Sequence, residues 1–364
     1  MYTAAQPEDR TVSQPELFRR FPSLSIPYRA LATIPTPVDH FEALGSRMGI
    51  DLWVKRDDQS GALYGGNKLR KLEFLLADAL EKGLEHVWTV GAIGSHHALA
   101  TALWARKLGL EPSVLHFPQP LTPHVQKNIK AIATTRANLT LADHRNDLPA
   151  EVFKVKLREW LSSGRDFYYI PGGGSSPLGT VGYVNAALEL AAQCEAEAIP
   201  IPDVIYVAAG TCGTLVGLTL GLKIAGLATK VIGVRVVDKV ICNKPLCAYL
   251  GHQVSDLLYE AGMRNVPRLS NKDYHLTGDY FGGAYGVPTA PGEAAIANAK
   301  TYGLNLEGTY TGKAFSALEA QASDWQSKTV MYWHTLSGAD LTDVLEQFTP
   351  EMLPPEYREF LEPV

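Results

Sequence analysis

Cysteine is scarce in this chain of 364 residues, which carries four, at Cys194, Cys212, Cys242 and Cys247. They form no CxxC pair and no dense array, so a disulfide framework or a metal site has little support and reduced thiols fit best. An excess of charge is also missing. With 33 Lys and Arg against 38 Asp and Glu, the net charge is −5, which disfavours a polyanion-binding role. No stretch reaches the eighteen or so apolar residues a membrane helix needs, and the start MYTAAQPEDRTVSQPELFRRF lacks the basic-then-apolar order of a secretion signal. A soluble, cytoplasmic protein is expected. Internal repeats and low-complexity tracts are absent too. What remains is an ordinary apolar fraction, 46%, in a length that suggests about two domains.

Residues 1 to 40 are rich in proline (Pro15, Pro22, Pro27, Pro35, Pro37) and read as an irregular arm. Strand-like and helical periods then alternate. Ile50 to Lys55 reads as a strand, and Asn67 to Lys82 carries Leu69, Leu72, Leu76, Ala79 and Leu80 on one helical face before Gly83. His86 to Ile93 is a buried-strand candidate followed by a helix from Ser95 to Leu108. The alternation recurs at Ser113 to His116, Phe167 to Ile170, Val204 to Ala209, a helix through Leu215 to Ala225, and Val231 to Val237. Strands separated by helix-length segments imply parallel pairing, hence an α/β fold. Residues 239 to 285 are the least periodic part, and Gly262 to Pro267 and Gly278 to Gly286 read as loops.

Four groups of residues could do chemistry. In YGGNKLRKLE (Tyr64 to Glu73), paired glycines allow close backbone approach and Lys68 opens a helix. The helix dipole and Lys71 both disfavour an ammonium at Lys68, as a Schiff-base lysine requires; a solvated lysine on an amphipathic helix would look the same. In GAIGSHHA (Gly91 to Ala98), a strand-to-helix turn offers N–H groups and the Ser95 hydroxyl to a carboxylate, or Ser95 simply caps the helix. His96 and His97 have no Cys or carboxylate at ligand spacing, so no metal is expected. AGTCGTLVG (Ala209 to Gly217) can cradle a phosphate or merely pack closely. It is neither GxGxxG nor GxxxxGK[ST], which leaves Asp238 weak as a ribose ligand. Tyr285, Tyr310 and Thr335 sit in glycine-punctuated turns late in the chain.

Taken together, the run VKRDDQSGALYGGNKLRKLEFLLADAL, then GAIGSHHALATA, IPGGGSSPLGTVGYV, VAAGTCGTLVGL, AYGVP, YTGKA and HTLSGA, resembles one family in order and content. It is that of the pyridoxal-phosphate (PLP) enzymes comprising 1-aminocyclopropane-1-carboxylate (ACC) deaminase and D-cysteine desulfhydrase, in the tryptophan-synthase-β-like, fold type II group. The resemblance spans roughly residues 24 to 340. It implies that Lys68 holds PLP, that Lys71 contacts its phosphate, and that Gly210, Thr211, Cys212, Gly213 and Thr214 form the phosphate loop. Ser95, with the N–H groups of His96 and His97, corresponds to the substrate-carboxylate site. Tyr285 and Tyr310 match the active-site tyrosines, and Thr335 falls near the pyridine nitrogen.

Three departures stand out. His96 replaces an Asn that reaches the cofactor's phenolic oxygen, and Thr311 replaces the Glu that ACC deaminase has beside the pyridine nitrogen. A neutral Thr311 leaves the ring a weaker electron sink, which favours β-elimination over cyclopropane opening. Cys212 stands where relatives carry Gly, a harmless change provided its backbone needs no positive φ. The resemblance thus implies a lyase that converts a small amino acid, a D-amino acid with a β-leaving group such as thiolate, to a 2-oxo acid and ammonia. ACC ring opening, β-replacement, and a non-catalytic PLP-binding protein are the alternatives. Two open, twisted, mainly parallel-sheet domains are expected, 1–70 with 180–364 and 71–179, with PLP in the cleft between them and a homodimer as the default assembly.

Overall fold

The computed structural model describes residues 14–144, 147–163, 166–196 and 199–361. Its strands are β1 (Val38–His40), β2 (Asp51–Arg56), β3 (His86–Ala92), β4 (Glu111–Phe117), β5 (Asn138–Leu141), β6 (Tyr168–Ile170), β7 (Val204–Ala209), β8 (Lys230–Arg235), β9 (His275–Thr277) and β10 (Thr329–His334). Its helices are α1 (Glu16–Arg20), α2 (Glu42–Met48), α3 (Asn67–Glu81), α4 (His96–Lys107), α5 (Pro123–Thr134), α6 (Leu148–Ser163), α7 (Pro177–Ala196), α8 (Gly213–Ile224), α9 (Lys244–Glu260), α10 (Ala290–Lys300), α11 (Thr311–Ala320) and α12 (Thr342–Glu346).

Two sheets form, as the alternation of periods requires. One has the order β1-β2-β10-β7-β8-β9, the other β5-β4-β3-β6. Every pairing is parallel except β1 with β2. Parallel strands are covered by helices on both faces and read as continuous apolar runs. Val204 to Ala209 is such a run, buried at all six positions. The strand ends at Ala92, Phe117, Ala209 and His334 all lead toward one cavity, where open parallel sheets bind ligands.

Two segments differ from expectation. The proline-rich arm carries α1 and β1, and within it Leu17 is fully buried with Val181 and Val184. Leu17 N–H donates to Asn185 Oδ1 at 2.9 Å, so this part of the arm is packed. Residues 1–13 lie outside the described residues. The least periodic stretch, 239 to 285, contains the 17-residue α9, capped by the Asn243 side chain. Its buried face is built from Cys247, Ala248, Gly251 and Ser255 among larger groups, small or polar types that mute the apolar signal.

The last described residues pack on the four-stranded layer. Leu353 and Tyr357 pack with Ile93, Val125 and Ile129, and Tyr357 Oη lies 3.0 Å from His116 Nδ1.

Candidate active site

Beside the cavity, β2, α3, α7 and β10 are joined by buried charge. Asp57 accepts from Arg70 Nε and Nη2 at 2.9 and 2.7 Å, and from Tyr183 Oη and Trp333 Nε1 at 2.6 and 2.7 Å. Glu189 on α7 accepts from Arg70 and from Lys55 Nζ at 2.6 Å. Burial pushes Glu189 up, but Arg70 and Lys55 outweigh it and hold the carboxyl down at about 2. This network fixes the helix that carries Lys68 and Lys71.

The glycines before α3 are needed by protein backbone. Gly66, at φ +79°, leaves no room for a Cβ, which would stand 2.7 Å from Thr335 O. Asn67 N–H donates to Thr335 O at 3.0 Å and Gly65 N–H to Ser337 Oγ at 3.0 Å. The close approach expected toward a ligand is therefore an approach to the turn after β10.

The cavity measures about 230 Å³ and is lined by Lys68, Lys71, Ser95, His96, His97, Gly210 to Thr214, Tyr285, Tyr310 and Thr335. All thirteen residues singled out from sequence thus share one space. Burial lowers the Lys68 ammonium to about 8, with Glu307 opposing. The direction matches expectation; the main cause is desolvation, not Lys71. Lys68 Nζ lies 5.9 Å from the Tyr310 ring centroid, and the Tyr310 and Tyr285 hydroxyls are 2.5 Å apart.

At the start of α8 the polar groups converge as an anion cradle. Lys71, held well below the ordinary lysine range by burial and then by Lys68, donates to Gly173 O and Ser175 Oγ, both at 3.0 Å. A Cβ on Gly213 would lie 2.6 Å from Ser175 Oγ, 2.8 Å from Lys71 Nζ and 3.1 Å from Thr180 Oγ1. Thr180 Oγ1 is buried without a hydrogen-bond partner. Ser175 and Thr180 were not singled out from sequence; the GGGSS run was the available signal.

Cys212 overturns the expectation made for it. It takes φ +65° as it leads into α8, a left-handed conformation that glycine adopts freely and cysteine does not. The cause is the turn itself, which must reverse sharply to aim successive N–H groups at one point.

Ser95 caps α4, its side chain accepting from Ala98 N–H at 3.2 Å. The His97 ring turns its Nε2 to Thr89 Oγ1, 2.8 Å away, while its Nδ1 is buried without a hydrogen-bond partner. His96 Nδ1 lies 2.5 Å from Tyr64 Oη, and burial, then His124 and Lys68, keeps the ring neutral. Glu307 enters from four residues before Thr311, accepting from the N–H groups of Thr309, Tyr310 and Thr311. Thr311 Oγ1 also reaches Glu307 Oε1, at 3.3 Å. A carboxylate is thus present beside Thr311 after all. His96, His124 and Glu307 offer ligand atoms within 4.8 Å of one another, as do Cys212, Cys242 and Cys247. Sequence spacing revealed neither cluster, because each gathers residues from separate segments, and the expectation of no metal ligand set is corrected to that extent.

A lysine amine of lowered pKa beside an anion cradle points to the class, and sequence comparison agrees. Residues 30–335 match the model of the family described as pyridoxal-phosphate dependent enzyme. The chain belongs to that family, and its cofactor is pyridoxal phosphate. Among its relatives, D-cysteine desulfhydrases of Salmonella paratyphi B and Salmonella enteritidis PT4 are each 37% identical over 304 residues, 82% of this chain and 88% of theirs. The crystal structure of an ACC deaminase homologue superposes with a TM-score of 0.76 at 32% identity, covering 94% of this chain and 100% of that one. Threonine deaminase isoform 2 from Solanum lycopersicum shares the fold, with a TM-score of 0.58 at 19% identity. The orphaned Thr180 hydroxyl, close to the bare Gly213 and Lys71 Nζ, fits the cofactor's phosphate, and Lys68 fits its aldehyde.

Proposed function

We propose that this enzyme eliminates a β-leaving group from a small amino acid, D-cysteine first among them. With water, D-cysteine would give pyruvate, ammonia and hydrogen sulfide. The observation that carries the reading is one cavity lined by Lys68, Lys71 and the turn from Gly210 to Thr214, in a chain 37% identical to D-cysteine desulfhydrases. Bound PLP supplies the electron sink for the substrate's α-carbanion.

The protein's own residues do the rest. Lys71, Ser175, Thr180 and the N–H groups of residues 210–214 hold the phosphate, helped by the positive end of α8. Lys68 would hold the cofactor's aldehyde carbon, and its amine, once free, would accept the substrate's α-proton at Nζ. Ser95 and the N–H groups of His96 and His97 bind the substrate carboxylate. The Tyr285–Tyr310 hydroxyl pair passes a proton at Oη to the departing group. His96 would hydrogen-bond the cofactor where relatives use Asn, and Thr335 would stand near its ring. The middle segment, 71–179, is read as the small domain and 1–70 with 180–364 as the large one. A cytoplasmic homodimer is the assembly and location this reading favours.

Lys68→Ala tests it. The variant is expected to lose the cofactor's characteristic absorbance and all turnover, and borohydride reduction of the wild type should fix the pyridoxyl group on Lys68. Turnover at the wild-type level in the variant, or an adduct on another lysine, defeats the assignment. A panel of D- and L-cysteine, D-serine, β-chloro-D-alanine and ACC, read for ammonia and 2-oxo acid, decides the substrate. Glu307 favours a second reading, ACC ring opening, because its carboxylate offsets the neutral Thr311. Production of 2-oxobutyrate from ACC by the wild type, lost in Glu307→Gln, would move the assignment there.

A further inference from the structure

Cys212, Cys242 and Cys247 come from the phosphate loop, the connection after β8 and the first turn of α9, yet their sulfur atoms all lie within 4.8 Å of one another. Cys242 and Cys247 are fully buried and Cys212 is 4% exposed, forming part of the cavity wall. Three buried cysteines could serve merely as small apolar side chains. The backbone argues otherwise. Cys212 keeps φ +65° where a glycine would relieve the strain, and what its side chain gains there is contact with two more thiols. A strained residue in a wall of the active cavity points to a role for that side chain.

We propose that these three cysteines form a trigonal thiolate site for one soft cation, copper(I). Three sulfurs arranged around a metal at about 2.3 Å stand about 4.0 Å apart, so the site closes with small side-chain rotations. Thiolates select soft ions. Structural zinc demands a fourth ligand, and among the described residues no His, Asp, Glu or other Cys joins this group. Binding releases the three thiol protons to solvent and leaves a complex of charge −2, which Arg235, acting on Cys242, offsets in part. Copper therefore sits behind the phosphate loop, and affinity rises with pH as the thiols ionise.

The test is anaerobic titration of the PLP-loaded protein with copper(I) against a competing chelator, followed by X-ray absorption. One tightly held equivalent with three sulfur neighbours is expected. Cys242→Ala and Cys247→Ala should each lose that equivalent, and Cys194→Ala should keep it. No copper retained against the chelator, retention by the Cys242→Ala/Cys247→Ala double variant, or loss in Cys194→Ala would overturn the proposal. A preference for zinc(II) with a fourth, lighter neighbour would overturn it equally. The absorption measurement needs no variant, so a folding defect leaves the test standing. Copper uptake is read without turnover, so its failure is distinct from failure of the elimination reading.

Discussion

At the scale of single residues, Lys68 shows how position creates reactivity. An ordinary lysine is almost wholly an ammonium at neutral pH, and only its neutral form attacks an aldehyde. Burial lowers Lys68 to about 8, so the neutral fraction grows as pH rises and is nearly complete above pH 9. The rate of cofactor capture by apoprotein should climb through pH 8 and level off, measured by stopped-flow absorbance. A profile still rising at pH 10 would show an unperturbed amine. Gly66 is the second telling residue. Gly66→Ala places a Cβ against Thr335 O at φ +79° and ψ −174°, a backbone region essentially reserved for glycine, at a cost of roughly 1–3 kcal/mol. Because a displacement near 1 Å of a positioned group costs on the order of 100-fold in rate, kcat/KM should fall with it. Denaturant melts and steady-state kinetics check both.

Elements depend on buried charge. The Asp57–Arg70–Glu189–Lys55 network ties α3 to β2 and α7, and removing one partner leaves the others buried and unpaired. Glu189→Gln should cost about 3–5 kcal/mol, read by urea denaturation. The pH dependence has a definite sign. Glu189 is depressed to about 2 from 4.5, so its stabilisation is complete above pH 4.5 and is lost as pH falls through 2. A melting curve equally acid-sensitive in wild type and Glu189→Gln would show that this carboxylate is not the source. The sequence shows Lys55, Arg70 and Glu189 only as charged residues in unremarkable places. Their partnership spans 134 positions between Lys55 and Glu189, beyond any local pattern. In α9 the opposite holds. The helix is local, but Cys247, Gly251 and Ser255 on its inner face hide its period.

For the whole molecule, the surface carries a further expectation. Val240, Leu246, Tyr249 and Tyr259 are exposed at 75%, 40%, 63% and 56%, on or just before α9. A two-fold interface is self-complementary and covers such groups. With the homodimer proposed above formed through this face, Tyr249→Glu is expected to give a monomer in light scattering behind size exclusion. An unchanged mass would move the interface elsewhere.

Sequence alone determined the α/β alternation and the thirteen candidate residues around Lys68, because strand and helix periods and glycine-bounded turns are written in neighbouring positions. Tertiary structure decided what those turns face: Gly66 against Thr335, Glu307 beside Thr311, Ser175 and Thr180 around Lys71, and three thiols from separate segments in one place. The physical reason is range. Backbone propensity acts over a few residues, whereas desolvation and charge act through space, between groups that only the packed chain brings together.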